Sequence, residues 1–175
     1  MASLEEERRP GLRFSYPTVM VTPCAVLVVP ESAAGFIDAA TGAVRIRRVL
    51  AGVAPAPDPH GALSEARRLA HAGLGAGETP PPLDMELLHV GAAEDAPAVP
   101  DALLPAARLI RTALPGDDPA EVIAARAEET GADLILLARE GRRGLGDLLL
   151  GSTTERVLER ARRPVLAVPA GAPED

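Results

Sequence analysis

Between residues 131 and 169 the chain carries residue types and spacings that suit an anion. Gly141 and Gly151 bracket a loop rich in glycine and arginine, Ser152 follows directly, and Glu155 stands three positions on. Ser-x-x-Glu is a capping box, which starts a helix with or without a ligand. A glycine loop entering a helix leaves first-turn N–H groups pointing outward, at the positive end of the helix dipole. Arg142 and Arg143 add guanidinium groups that fork onto phosphate oxygens. From Arg139 to Arg163, seven Arg stand against four acids (Glu140, Asp147, Glu155, Glu159), a local excess of three positive charges. The same arginines also read as a solvated helix face.

Elsewhere reactive chemistry is sparse. The chain has no lysine, which excludes a Schiff base and the lysine of a P-loop. Cys24 is the single cysteine, so no internal disulfide or multi-cysteine metal site forms. It reads as a small buried apolar residue. His89, between Leu88 and Val90, reads as a hydrogen-bonded core histidine, and Asp133, near Gly131, as a residue that shapes a strand entry. No Ser-His-Asp or Cys-His spacing is present, and no general base is placed by a motif. The expectation is a binding protein, not an enzyme.

These groups need a scaffold. With 175 residues the chain has room for a real core, and one Tyr, two Phe and no Trp leave Ala, Val, Leu and Ile to build it. A net charge of −7 argues against nucleic acid and anionic membrane as partners. The start, MASLEEERRP, lacks an apolar signal core, and the stretch Val19–Val29 is broken by Pro23 and too short to span a bilayer. A cytoplasmic setting is expected.

Residues 1–16 read as a lead-in. Ala25–Val29 reads as a buried strand ended by Pro30, residues 31–44 as a linker with a turn at Thr41-Gly42, and Ile46–Val53 as a strand. Asp58-Pro59 is a cap and first-turn proline, followed by Ala62, Ala66, Leu69 and Gly73 at helical spacing; residues 74–82 form a loop. Met85–Val90 and Arg108–Leu114 read as strands, 91–101 as irregular, and Leu103–Ala107 as one helical turn. Asp118-Pro119-Ala120-Glu121 starts a helix that Gly131 stops. Leu134–Leu137 and Val165–Val168 read as strands flanking a helix over Ser152–Ala161. Strands alternating with helices specify a parallel sheet with crossovers. One internal repeat stands out: V-L-x-V-P occurs at Val26–Pro30 and again at Val165–Pro169.

The ordered set RIRRVLAGV, MELLHV, GDDPAEVI, GADLILL, LLLGSTTERVL and RRPVLAVP resembles the universal stress protein family. That family carries G-x-x-G-x9-G-S/T after its fourth strand, and here the register falls on Ala138, Gly141, Gly151 and Ser152. The resemblance covers roughly residues 45–170. It implies an α/β fold: a Rossmann-like three-layer sandwich with a five-stranded, mostly parallel sheet, here with an extra N-terminal strand. The division expected is an arm over 1–44, the stress-protein domain over 45–170 and a tail over 171–175. The family is cytoplasmic and commonly dimeric, and divides into binders and non-binders of adenine nucleotides such as ATP or AMP.

For binders the resemblance places the ligand against Val53 and Ala54 after the first strand, Val90 at the end of the second, and Ala138, Gly141, Arg142, Arg143, Gly151, Ser152 and Thr153. Two positions depart from the pattern. Ala54, followed by Pro55, stands where binders have an acid, and Ala138 stands where they have the first glycine. Arg139-Glu140 puts a carboxylate near the expected phosphate path. A lost charge-assisted contact costs about 1.5–3 kcal/mol, roughly ten- to a hundredfold in affinity, which Arg142 and Arg143 partly offset. The resemblance thus implies a weak or altered adenine-nucleotide site in a stress-response protein. The alternative is a non-binding member acting through dimerisation and protein contacts. In paired-domain members the last strands of two domains lie together. Residues 17–44 resemble the tail of such a preceding domain, so Ala25–Val29 is expected to pair with the edge left by Pro164–Val168, in the same chain or swapped across a homodimer.

Overall fold

Short runs of Val, Leu and Ile that must be dry on both faces dictate the centre of the molecule. The computed structural model describes residues 23–33, 36–38, 40–42, 46–71, 82–104, 107–140 and 152–170. The expected lead-in 1–16, the tail 171–175, most of the loop 74–82, and Gly141, Arg142, Arg143 and Gly151 lie outside these residues.

Six strands form one sheet: β1 (Val26–Val28), β2 (Arg48–Gly52), β3 (Leu83–Val90), β4 (Ala107–Leu114), β5 (Leu134–Arg139) and β6 (Val165–Pro169). Their order across the sheet is β1-β6-β5-β2-β3-β4. All neighbours are parallel except β1, which runs antiparallel to β6. Helix α1 (His60–His71) follows β2, α2 (Pro119–Thr130) follows β4, and α3 (Thr153–Arg160) follows β5. The sheet divides the core in two. On one face Val49, Ala51, Met85 and Leu136 pack with Ala62, Leu63 and Ala66 of α1; on the other Leu50, Leu88, Ile135 and Val165 pack with Ile123 and Ala127 of α2 and Val157 of α3. This is the expected three-layer α/β sandwich, with the added N-terminal strand paired in the same chain. Among the described residues no helix is long and apolar enough to cross a membrane.

The two copies of the repeat meet in the antiparallel pair. Leu27 faces Leu166, with Val26 opposite Ala167 and Val28 opposite Val165. Each leucine is the second residue of its V-L-x-V-P copy, so the two copies meet about a local pseudo-two-fold axis.

Several expectations shift. Ile46 is buried but precedes β2, which ends at Gly52. The crossover from β3 to β4 is built on two one-turn 3-10 segments, Ala93–Asp95 and Asp101–Leu103, in place of a turn at 103–107. There Val99 and Leu104 fill the α1 face, and Arg111 bonds the Val99 carbonyl (2.8 Å) and pairs with Asp101. Phe36, in the linker, is buried in the same face and anchors the arm. Cys24 is exposed, correcting the expectation of a buried thiol: it lies two residues before β1, beyond the last paired position.

Helix α2 shows how local signals hold. The Asp118 carboxylate accepts from the amides of Ala120 (3.0 Å) and Glu121 (3.4 Å), and Gly131 ends the helix at φ 63°. Asp118 also receives Arg156 (3.2 Å) and Arg160 (3.4 Å) from α3. One carboxylate therefore caps one helix and ties it to the next. Replacing Asp118 by Ala removes the cap and two half-exposed ion pairs, and urea denaturation is expected to show a loss of about 1–3 kcal/mol. A change below about 0.5 kcal/mol, the range of ordinary surface substitutions, would refute this joint role.

Candidate functional site

In an open parallel sheet, loops at the carboxyl ends of the strands part where consecutive crossovers leave on opposite faces, and that crevice is where ligands bind. Here the parting lies between β2 and β5. The connections after β2 and β3 pack on the α1 face; those after β4 and β5 pack on the α2–α3 face.

The structure brings six expected positions to this edge. Val53 and Ala54 follow β2, Val90 ends β3, Ala138 precedes the last residue of β5, and Ser152 and Thr153 start α3. The side chains of Val53 and Ala138 turn into the α1 face and that of Val90 into the opposite face. At these positions main chain, and not these side chains, therefore borders the crevice. Ser152 is the cap of α3: its hydroxyl accepts from the Glu155 amide at 3.2 Å. Helix geometry leaves the amides of Thr153 and Thr154 without an acceptor inside the helix. Asp58 does the same for α1, bonding the His60 amide (3.0 Å) and the His60 ring. These bonds hold its carboxyl below the ordinary carboxylate range.

Among the described residues, four arginines of the stripe are engaged within the fold. Arg156 and Arg160 pair with Asp118, and Arg163 forks onto Glu128 at 3.0 and 3.2 Å. Arg139 is 2% exposed, and its Nη2 donates to the Cys24 carbonyl at 3.3 Å. Burial pushes its guanidinium pKa down, partly countered by Cys24. These four arginines join elements within the fold.

His89 is the hydrogen-bonded core histidine expected, and the brace it forms with Val53 is what sequence reasoning missed. It is 7% exposed, and its Nδ1–H donates to the Val53 carbonyl at 3.1 Å, while the Val53 amide bonds the Leu88 carbonyl at 2.9 Å. The end of β2 is thus clamped to β3, and the Val53 carbonyl is engaged inside the protein. Beside it Gly91 has φ 148°, and a Cβ there would lie 2.8 Å from His89 Nε2. A His-x-Gly pattern at a strand end is the only sequence signal for this. Asp133 behaves as expected: its Oδ2 accepts from the amides of Arg47 and Arg48, both at 2.9 Å. Among the described residues no group of His, Cys, Asp and Glu has a metal-binding arrangement.

An α/β domain with this strand order and a capped helix at its switch point belongs to the Rossmann-like class of ligand-binding folds. The sequence model of the Universal stress protein family matches residues 45–169. The chain belongs to that family. It is 42% identical over 50 residues to Universal stress protein MJ0577 of Methanocaldococcus jannaschii, a match over 29% of this chain and 31% of the relative. The matched segment thus spans about a third of that relative's length. In fold it is similar to a universal stress protein from Archaeoglobus fulgidus (TM-score 0.62, 18% identity, 87% of this chain and 53% of that one). It is also similar to the solved structure of hypothetical protein MJ0577 (TM-score 0.54, 21% identity, 74% and 100%).

Gly91→Ala forces a side chain into a conformation reserved for glycine and against the His89 ring. Thermal and urea unfolding should report about 1–3 kcal/mol of lost stability. With His89→Ala as well, the combined loss should be smaller than the sum, because the two residues touch. Strict additivity would remove His89 as the clashing partner.

Proposed function

We propose that this chain binds an adenine nucleotide, ATP or AMP, at the crevice between β2 and β5, as a regulatory ligand in a stress response and with weakened or altered recognition. The observation that carries this reading is the Ser152-capped start of α3 at the carboxyl edge of the sheet, beside the ends of β2 and β5. Phosphate oxygens suit the Thr153 and Thr154 amides of that first turn, while main chain around Val53, Ala54, Val90 and Ala138 borders the rest of the ligand. Gly141, Arg142, Arg143 and Gly151 supply the remaining cradle by the family pattern. Ala54 explains the weakness, since no carboxylate stands there to meet a ribose hydroxyl. The protein acts by binding, not catalysis, in the cytoplasm, without nucleic acid or membrane as partner.

Ala54→Asp restores the missing charge. Calorimetry is expected to show ATP and AMP binding roughly ten- to a hundredfold more tightly to the variant than to the native chain. Amide shifts should centre on Ser152–Thr154. Dissociation constants above about 1 mM for both nucleotides in both proteins would reject the nucleotide reading in favour of a non-binding member.

The homodimer expected of the family is the second reading, and the β1–β6 pairing supports it. Because β1 covers the β6 edge, we place the dimer at an exchange of β1 between copies. Deleting residues 1–44 should abolish that dimer or expose the edge to aggregation, read by light scattering after size exclusion. Unchanged mass and solubility would overturn the exchange.

A further inference from the structure

We propose a second anion site, at the opposite rim of the sheet, that takes a small oligophosphate. At the amino ends of the central strands, register pairs Arg48 of β2 with Asp84 of β3, and Asp84 with Arg108 of β4. Three neighbouring strands thus present Arg-Asp-Arg in one row on one face of the sheet. The next row, Leu50, Glu86 and Ile110, is covered in part by α2, whose Arg126 bonds Glu86 at 2.9 Å. Helix α2 stops at Thr130. Below its end a cleft of about 420 Å³ opens, lined by Arg47, Arg48, Pro82, Asp84 and Arg108. That volume falls in the range of about 300–1,000 Å³ typical of small-molecule sites.

The lining carries three guanidinium groups and one carboxylate, in a chain of net charge −7. Asp133, which is not in the lining, holds the amides of Arg47 and Arg48. Arg48 Nη1 donates to the Thr130 carbonyl at 3.3 Å, and Arg108 forks onto Asp84 with both bonds at 3.0 Å. Among the described residues neither Arg47 nor Arg48 forms a side-chain ion pair. Asp84 thus serves Arg108, and the positive charge of Arg47 and Arg48 is left for an anion to meet.

The spacing selects the ligand. Arg48 and Arg108 start two strands apart, about 10 Å at the backbone, with Asp84 between them. A single phosphate meets one fork; two or more linked phosphates reach both, each guanidinium pairing with two oxygens. Free pyrophosphate and the phosphate tail of a nucleotide share this chemistry. The site is independent of the crevice at β2 and β5, which lies at the other end of the same strands.

Pyrophosphate titrated into the full chain, followed by backbone amide shifts and calorimetry, tests the assignment. Shifts are expected at residues 47–48, 82–84, 107–108 and 130–133. Arg48→Ala should weaken binding by about tenfold or more. Asp84→Asn keeps the shape, removes the competing carboxylate and releases Arg108, so it should tighten binding several-fold, a gain that a purely structural role for Asp84 would not produce. An adenosine diphosphate arm separates the sources: equal affinity assigns free oligophosphate, tighter binding with the same shifts assigns a nucleotide tail, and both support the site. Shifts confined to Ser152–Thr154, unchanged affinity in both variants, or tighter binding of hexaglutamate than of pyrophosphate would overturn it.

Discussion

Everything in this molecule follows from β2 being hydrogen-bonded on both sides and dry on both faces. Its ladder runs from Arg48 to Gly52 against β3 and from Val49 to Gly52 against β5, and Val49, Leu50 and Ala51 are all buried. A strand in that position tolerates no polar side chain within its core span. It also needs covering layers above and below, which fixes where α1, α2 and α3 must pack. The parting of the loops at the carboxyl edge is a geometric result of that cover, and the polar groups of β2 itself lie at the rims where its ladder ends. At the amino rim Asp133 takes the place of a neighbouring strand by accepting the amides of Arg47 and Arg48.

Arginine is the sole basic side chain available besides histidine, and the fold uses its fork as connective material. Glu86 and Arg126 join β3 to α2, Asp118 joins α2 to α3 through Arg156 and Arg160, Glu128 reaches Arg163, and Arg111 pins the short crossover to β4. The carboxylates of Glu129 and Glu86 hold the Arg126 guanidinium above its ordinary range. A planar group with several donors can serve a carbonyl and a carboxylate together, which a lysine does less well. Among the described residues Arg139, Arg156, Arg160 and Arg163 are therefore engaged between elements. At the amino rim the balance differs, because Asp84 pairs with Arg108 and, among the described residues, Arg47 and Arg48 form no side-chain ion pair.

Local grammar was legible because its partners are close in sequence. Asp118-Pro119, Gly131 and Ser152 each announce a helix boundary within three residues, and the structure uses each one that way. The apolar runs at Leu50, Leu136 and Leu166 declare buried strands by composition alone. The resemblance to paired-domain members foretold which strand would meet β6, and the two V-L-x-V-P copies are the segments that pair. What escaped depends on register and on contacts across long separations. Arg48, Asp84 and Arg108 are unrelated until two parallel pairings align them. His89 reaches Val53 across 36 positions, and Phe36 enters a core built mainly from residues after 46. Cys24 misled because an apolar neighbourhood in sequence says nothing about where pairing stops. The short crossover after β3 escaped for a related reason: its Pro- and Ala-rich composition carries no periodicity to read.

The contact between Val26 and Ala167 joins positions 141 residues apart. On a ribosome the first of these emerges before the second, so the outer strand waits through synthesis of the whole intervening sheet. Closing so long a loop is entropically slow, and topologies dominated by such contacts fold slowly. Until the final strand arrives, the early segment is an apolar ribbon with no template, and its short length and flanking prolines limit what else it can join in the interval.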